Sequence, residues 1–242
     1  MPDPIFYSIV VVDVERFGQR TNPMQASLRA AMYEVVRTAF ADVRRDGEIV
    51  RLDRGDGIVM LVPTATADSV TLAGRFVDAL DRALREKSRM FSAEHQMRMR
   101  VALHQGNCLQ DEHGWQGEAI NTAARLVDAQ ELRDALAAAP DAAMALIVSD
   151  EIYRGVVRHG YRYIDPASFA RITLAKKELH EDAWISVPGH PSPPLIRRPE
   201  RRSESSGPAA PTTTVYGPQV NNGDYVRGDK VGGDVYHFGG PR

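Results

Sequence analysis

Two aspartates occupy positions at which α/β proteins commonly bind ligands. Asp13 follows an apolar stretch that predicts a buried strand over residues 5–13, and Asp56 lies in a Gly-rich turn. Ligands in such domains bind beside the carboxyl ends of strands. Two neighbouring carboxylates repel each other unless a cation neutralises them, and oxygen ligands suit Mg²⁺ or Mn²⁺. The competing interpretation is that Asp56 only stabilises its turn and Asp13 only caps residues 15–18.

A second polar pair lies on a predicted helix that follows Gly117 and continues to about Leu136. Asn121 and Arg125 are four residues apart and therefore share one helical face. A guanidinium presents a fixed fork of donors, so this pair can orient a phosphate and neutralise its charge. The alternative is an ordinary solvated face. The lysines at positions 176 and 177 are either a further phosphate anchor or a plain surface pair.

Apolar runs alternate with helical patterns over the first 188 residues and predict one mixed α/β domain. Thr21 or Asn22 would cap a helix that begins at Pro23. The other predicted elements are strands at 49–52 and 58–62 around a hairpin turn, a helix at 66–87, strands at 97–104, 143–148 and 184–187, and a short helix starting at Ser149.

The composition narrows the class of protein. The 242 residues include 30 Lys and Arg against 32 Asp and Glu, and 43% are hydrophobic, which fits a soluble globular protein and not a strongly basic nucleic-acid binder. No apolar run approaches the roughly 20 residues of a membrane span. The N-terminus has no features of a signal peptide. We therefore expect a cytoplasmic protein with neither a nucleic-acid nor a membrane partner. Cys108 is the only cysteine, which excludes an intrachain disulfide.

Composition changes sharply after residue 188. Residues 189–214 hold six of the fifteen prolines and are predicted to be a disordered linker. Residues 215–242 form a Gly-rich tail in which Gly-Asp recurs every five residues, at 223, 228 and 233. A turn at each Gly-Asp would align the repeats for stacking. We expect the tail to self-associate or to bind a protein partner; the alternative is a flexible and inert tail.

Four segments occur in the order, and with plausible spacing, of motifs in class III nucleotidyl cyclase catalytic domains. They are VVDVERFG at 11–18, RGDG at 54–57, RVALHQG at 100–106 and GEAINTAARL at 117–126. With the region around Lys176 they cover nearly all of residues 5–187. The chain therefore resembles that family. The resemblance implies an α+β fold with a ferredoxin-like, palm-type βαββαβ core, and a homodimer with active sites at a head-to-tail interface.

Enzymes of that family convert a nucleoside triphosphate to a 3′,5′-cyclic monophosphate and pyrophosphate with two divalent metals. By resemblance, Asp13 and Asp56 would bind two Mg²⁺ or Mn²⁺ ions, with the Val14 carbonyl as a further ligand. Metal ligands would come from one subunit and the Asn/Arg pair from the other. The remaining implied roles are phosphate binding by the backbone of Phe17 and Gly18, ribose orientation by Asn121, stabilisation of the α-phosphate by Arg125, and triphosphate binding by Lys176 or Lys177.

The chain departs from the family where purines are recognised. Leu52 stands where purine-specific members carry a lysine, and Gly114 stands where they carry an aspartate or similar polar residue. Neither can hydrogen-bond to a base, although Asp53, Arg51 or Arg54 could do so from adjacent positions. Two interpretations follow: a cyclase whose preferred base differs from adenine, including a pyrimidine, or a catalytically silent nucleotide-binding and dimerisation module that acts through its tail.

Overall fold

The computed structural model describes residues 3–45, 47–92, 95–162, 164–176 and 179–194. Most of the predicted linker and the whole Gly-Asp tail lie outside these residues. Within the described part, no helix is both long enough and apolar enough to span a membrane.

The chain alternates strands and helices. The strands are β1 (Ile5–Val14), β2 (Val50–Asp53), β3 (Gly57–Val62), β4 (Met99–Asp111), β5 (Gly114–Gln116), β6 (Met144–Ser149), β7 (Ala170–Lys176) and β8 (Leu179–Ser186). The helices are α1 (Asn22–Ala41), α2 (Ser69–Thr71), α3 (Val77–Arg89), α4 (Glu118–Val127), α5 (Gln130–Ala137) and α6 (Asp150–Gly155). A π-helical turn over Leu72–Phe76 joins α2 to α3.

The strands form one sheet in the order β2-β3-β1-β4-β6-β8-β7, and β5 pairs back onto β4. Only the β4–β6 pair is parallel among the described strands. The first part of the chain runs β-α-β-β-α-β with strand order β2-β3-β1-β4, which is the ferredoxin-like arrangement. The predicted fold class is therefore confirmed.

Two helical layers cover the two faces of the sheet. Val10 and Val12 of β1 pack with the buried sides of α1 and α3. Ile9 and Val11 point to the other face and pack with α4 and α5. A strand covered on both faces needs apolar residues at consecutive positions. This burial explains why β1 is an apolar run in the sequence instead of an alternating pattern.

Helix boundaries differ from prediction in two places. The helix expected at 66–87 begins at Ser69, because the Asp68 side chain accepts a hydrogen bond of 2.7 Å from the Thr71 backbone N–H and caps it. The helix expected to reach Leu136 is two helices, α4 and α5. Val127 and Leu132 are both buried but five residues apart, a spacing that a continuous helix would place about 140° apart. The break between α4 and α5 allows both side chains to reach the core.

Strands were underpredicted near the edge of the sheet. The strand expected at 97–104 continues to Asp111 and turns back into β5. β7 has no counterpart in the prediction, and residues 184–187 cover only the end of β8. β8 and the second half of β4 mix polar with apolar residues without a clear period. In contrast, β7 alternates apolar and polar residues from Ala170 to Leu174, a strand pattern that the prediction missed.

Candidate active site

The fold brings Asp13 and Asp56 to one cavity. β1 pairs with β3 so that Asp13 lies opposite Gly57, and the Val14 N–H donates a 3.0 Å hydrogen bond to the Asp56 carbonyl. The carboxylates line a cavity of about 270 Å³, here called the aspartate cavity, together with Arg54, Ala124 and Asp128 among others. The end of β1 and the β2–β3 hairpin thus form the candidate site's acidic part.

Gly57 makes this close approach possible. A Cβ atom at Gly57 would lie 2.5 Å from the Val12 carbonyl oxygen, a distance that real Cβ atoms do not show. The turn before it is held by a 2.9 Å hydrogen bond from the Arg54 N–H to the Gly57 carbonyl. The sequence indicated a tight turn at these glycines but gave no sign that Gly57 must be small to contact β1.

Arg100 of β4 pairs with Asp13. Its Nε donates to the Asp13 Oδ2 at 2.9 Å, and its Nη2 contacts the same oxygen. The two side chains are only 12% and 13% exposed. The pKa of the Asp13 carboxyl is raised, mainly by burial and further by the negative charges of Asp56 and Asp128. The hydrogen bond and the charge of Arg100 oppose this rise. Arg100 lies in the RVALHQG segment, but the sequence predicts no role for it.

The donor set fits a hard divalent cation. Asp13 and Asp56 present carboxylate oxygens to one cavity, and their mutual repulsion contributes to the raised pKa of Asp13. Oxygen donors of this kind suit Mg²⁺ or Mn²⁺. No group of three or more His, Cys, Asp and Glu side chains in the described residues could hold a metal. Any cation here would therefore complete its coordination with backbone, substrate or water oxygens.

A second cavity adjoins the first. It has a volume of about 460 Å³ and is here called the loop cavity. Arg16 of the loop has a left-handed backbone, with φ of 55°, and leads into a 3₁₀ turn at Phe17–Gln19. The residues that line this cavity include Val14, Glu15, Arg16, Phe17, Gly18, Asp56, Arg100 and Arg133. The predicted phosphate-binding residues Phe17 and Gly18 therefore lie beside one of the two aspartates.

Asn121 and Arg125 share the exposed face of α4, as their spacing predicted. The Arg125 Nη2 donates a 2.7 Å hydrogen bond to the Thr122 hydroxyl. Its charge acts on His104, whose pKa is lowered mainly by burial, and on Glu181. Among the described residues, neither Asn121 nor Arg125 lines the aspartate cavity or the loop cavity. Within one chain, the Asn/Arg pair therefore lies outside the cavities that the two aspartates line.

Solved structures with a similar fold include nucleotidyl cyclases. The guanylyl cyclase Cya2 is 16% identical with a TM-score of 0.54, over 76% of this chain and 92% of that chain. The chain has the fold of class III nucleotidyl cyclase domains. An adenylate/guanylate cyclase/hydrolase from Silicibacter pomeroyi is 19% identical with a TM-score of 0.53, over 77% of this chain and 98% of that chain.

A bacterial light-regulated adenylyl cyclase also shares the cyclase fold, at 16% identity and a TM-score of 0.53. It matches over 76% of this chain and 51% of that chain. No protein-family model matches the sequence, and no curated protein matches it. The similarity to known proteins therefore lies in the fold.

Of the remaining predicted residues, Leu52 and Gly114 line neither cavity. Lys176 ends β7 opposite Leu179, and Lys177 lies outside the described residues. Leu52 is partly buried against the core beneath α4. Gly114 opens β5 with φ of 125°. The roles predicted for these residues stay predictions.

Asp53, predicted to be near the base, is already engaged by α1. Its carboxylate accepts hydrogen bonds from Arg29 and Tyr33, and a 2.7 Å bond from the Gly55 N–H. The Tyr33 hydrogen bond is the main cause that lowers the pKa of Asp53. Contact with a base would require Asp53 to give up part of this network.

Gly106 allows α4 to pack closely on β4. A Cβ at this position would lie 2.7 Å from the Ala119 Cβ. We expect Gly106→Ala to reduce the free energy of unfolding by about 1–3 kcal/mol through overpacking, measured by urea denaturation. Gly155→Ala is the matched control, because a Cβ there meets no atom within 4 Å. Equal stability of the Gly106→Ala variant and the wild type would show that α4 has room to move.

Proposed function

We propose that the chain is a metal-dependent nucleotidyl cyclase that converts a nucleoside triphosphate to a 3′,5′-cyclic nucleotide and pyrophosphate for intracellular signalling. The observation that carries this proposal is the convergence of Asp13 and Asp56 on one cavity beside the Phe17–Gly18 loop. Paired carboxylates next to a loop of backbone N–H groups are suited to a metal-bound polyphosphate.

Asp13, Asp56 and the Val14 carbonyl would hold two Mg²⁺ or Mn²⁺ ions. When bound, the ions would lower the pKa of the ribose 3′-hydroxyl and neutralise the phosphates. The loop N–H groups of Phe17 and Gly18 would bind phosphate oxygens. Arg100 pairs with Asp13 and also lines the loop cavity, so it would lie near a phosphate bound there.

The active site would be completed by a second copy of the chain. Asn121 and Arg125 are exposed and do not line the cavities that hold the aspartates. In a head-to-tail homodimer they would face the partner's aspartate cavity. Asn121 would orient the ribose, and Arg125 would stabilise charge on the α-phosphate in the transition state. Lys176 or Lys177 would bind the triphosphate.

The second candidate is a silent nucleotide-binding and dimerisation module. The Asp13–Arg100 pair favours it, because a buried carboxylate that is already neutralised does not need a cation. Metal-dependent release of pyrophosphate from ATP, GTP, CTP and UTP, with the cyclic product identified by mass spectrometry, separates the two. Product from any of the four supports the cyclase. Nucleotide binding without pyrophosphate release from any of the four supports the silent module.

We expect the same panel to show no strong preference for ATP. Leu52 and Gly114 cannot form base-specific hydrogen bonds, and such bonds are the main source of discrimination between bases. UTP, CTP or GTP should therefore compete well with ATP or be preferred. A specificity constant kcat/KM for ATP about a thousandfold above those of the other three would contradict this expectation, since discrimination of that size needs matched polar groups.

We further propose that the Gly-Asp tail gives the dimer a higher-order assembly or a protein partner. Deletion of residues 215–242 should leave nucleotide turnover unchanged, because the proposed catalytic residues all lie before residue 178. Sedimentation velocity and pull-down of the truncated chain should then show loss of the larger assembly or of the captured partner. Identical behaviour of full-length and truncated chains would identify the tail as inert.

A further inference from the structure

The loop cavity contains an arginine from α5 that the roles proposed above do not use. Arg133 lines this cavity together with Phe17, Gly18 and Arg100. Its Nη2 lies 2.9 Å from the Asp128 Oδ1, and the two side chains are 44% and 66% exposed. An ion pair this exposed contributes little to stability, so Arg133 can change partners at small cost.

A half-buried arginine, Arg98, links α5 to the loop after β1. Arg98, at 20% side-chain exposure, donates to the backbone carbonyl of Ala139 at 3.1 Å and to that of Leu136, at the end of α5. Its Nε lies 3.1 Å from the Glu15 Oε2. Arg98 therefore contacts both the loop after β1 and the end of α5, two segments that line the loop cavity, and Arg133 belongs to α5.

The charges around the loop cavity suit a polyphosphate that arrives with its cations. Glu15 is paired with Arg98. The other two carboxylates that line the cavity are Asp56, on the side of the aspartate cavity, and Asp134 of α5, which accepts a 2.7 Å hydrogen bond from Gln130. The same space is lined by Arg100, which is paired with Asp13, and by Arg133, whose ion pair with Asp128 is exposed. Arginine forks bind phosphate oxygens in pairs and form charge-assisted hydrogen bonds.

We propose that Arg133 is a substrate-binding residue that leaves Asp128 and donates to the terminal phosphates of the nucleoside triphosphate. The inference rests on the proposed function, since it names a further ligand for the same substrate. It also assigns Asp128 a role: this carboxylate holds Arg133 while the cavity is empty and competes with the phosphates for it.

Titration calorimetry of the full-length chain with inorganic tripolyphosphate tests the proposal without any need for turnover. Arg133→Gln should weaken tripolyphosphate binding about tenfold, the loss of one or two charge-assisted hydrogen bonds. Arg82→Gln is the matched control, because Arg82 is also an exposed helical arginine, 3.6 Å from Asp42 and 3.8 Å from Asp78. Equal weakening by both substitutions, or wild-type affinity of the Arg133→Gln variant, would overturn the proposal. So would a failure of the wild-type chain to bind tripolyphosphate.

Asp128→Asn provides an independent readout of opposite sign. Freeing Arg133 should tighten tripolyphosphate binding, and that gain should largely disappear when Arg133 is also replaced by Gln. A gain of the same size in both backgrounds would indicate general repulsion by Asp128 and would contradict the exchange of partners. These results stand apart from catalysis: a chain that binds tripolyphosphate through Arg133 but releases no pyrophosphate refutes the cyclase proposal alone.

Discussion

Replacing either Asp13 or Asp56 by Asn is expected to reduce cyclic-nucleotide formation by about a hundredfold or more, because metal ions supply several kcal/mol of transition-state stabilisation. Each substitution removes a negative charge from the cavity that would hold the cations while keeping the side chain's shape. The measurement is the initial rate at saturating Mn²⁺ and nucleotide. Asp141→Asn is the control, since Asp141 is 76% exposed and lies outside both cavities.

The two aspartate variants should differ in stability. Asp13→Asn leaves the buried Arg100 guanidinium without its carboxylate, and a buried unpaired charge is costly. Asp56 is exposed and has no such partner in the described contacts, so Asp56→Asn should melt close to the wild-type temperature. Asp56→Asn is therefore the cleaner test of catalysis. A folded Asp56→Asn variant with the wild-type rate would rule out a metal role for that residue.

Arg125→Ala should also lower the turnover number by about 10²–10³, the usual cost of removing one preorganised donor to the transition state. The side chain is exposed, so the chain should stay folded. Arg154→Ala on α6 is the control, because Arg154 is 65% exposed and forms an ion pair with Asp150 of its own helix. An Arg125→Ala variant that raises KM but keeps kcat would assign Arg125 to ground-state binding instead.

Most of the fold is visible in the sequence because the core strands are strongly apolar. β1, β3 and β6 are buried on both faces, so β3 and β6 appear as continuous apolar runs, and the apolar run of β1 is interrupted only by Ser8 before Asp13. The break between α4 and α5 was not predictable in the same way. No Gly or Pro marks it, and only the five-residue step from Val127 to Leu132 signals it.

The candidate site was predictable in its residue types but not in its contacts. Asp13, Asp56 and the Asn121/Arg125 pair stand out by position and spacing. The Arg100 contact does not, because 87 residues separate Arg100 from Asp13 and only the pairing of β1 with β4 brings them together. Arg133 is hidden for a similar reason: its place in the loop cavity depends on how α5 packs against the loop after β1.

Two chains are proposed to build one active site, and mixing two inactive variants tests this most directly. The Asp13→Asn chain lacks a proposed metal ligand, and the Arg125→Ala chain lacks the proposed donor to the transition state. A heterodimer of the two chains nevertheless contains one intact site. Random exchange in an equal mixture should restore about a quarter of the wild-type rate, since half the dimers carry one good site of two. A mixture that stays inactive while native mass spectrometry detects the heterodimer would contradict the shared site.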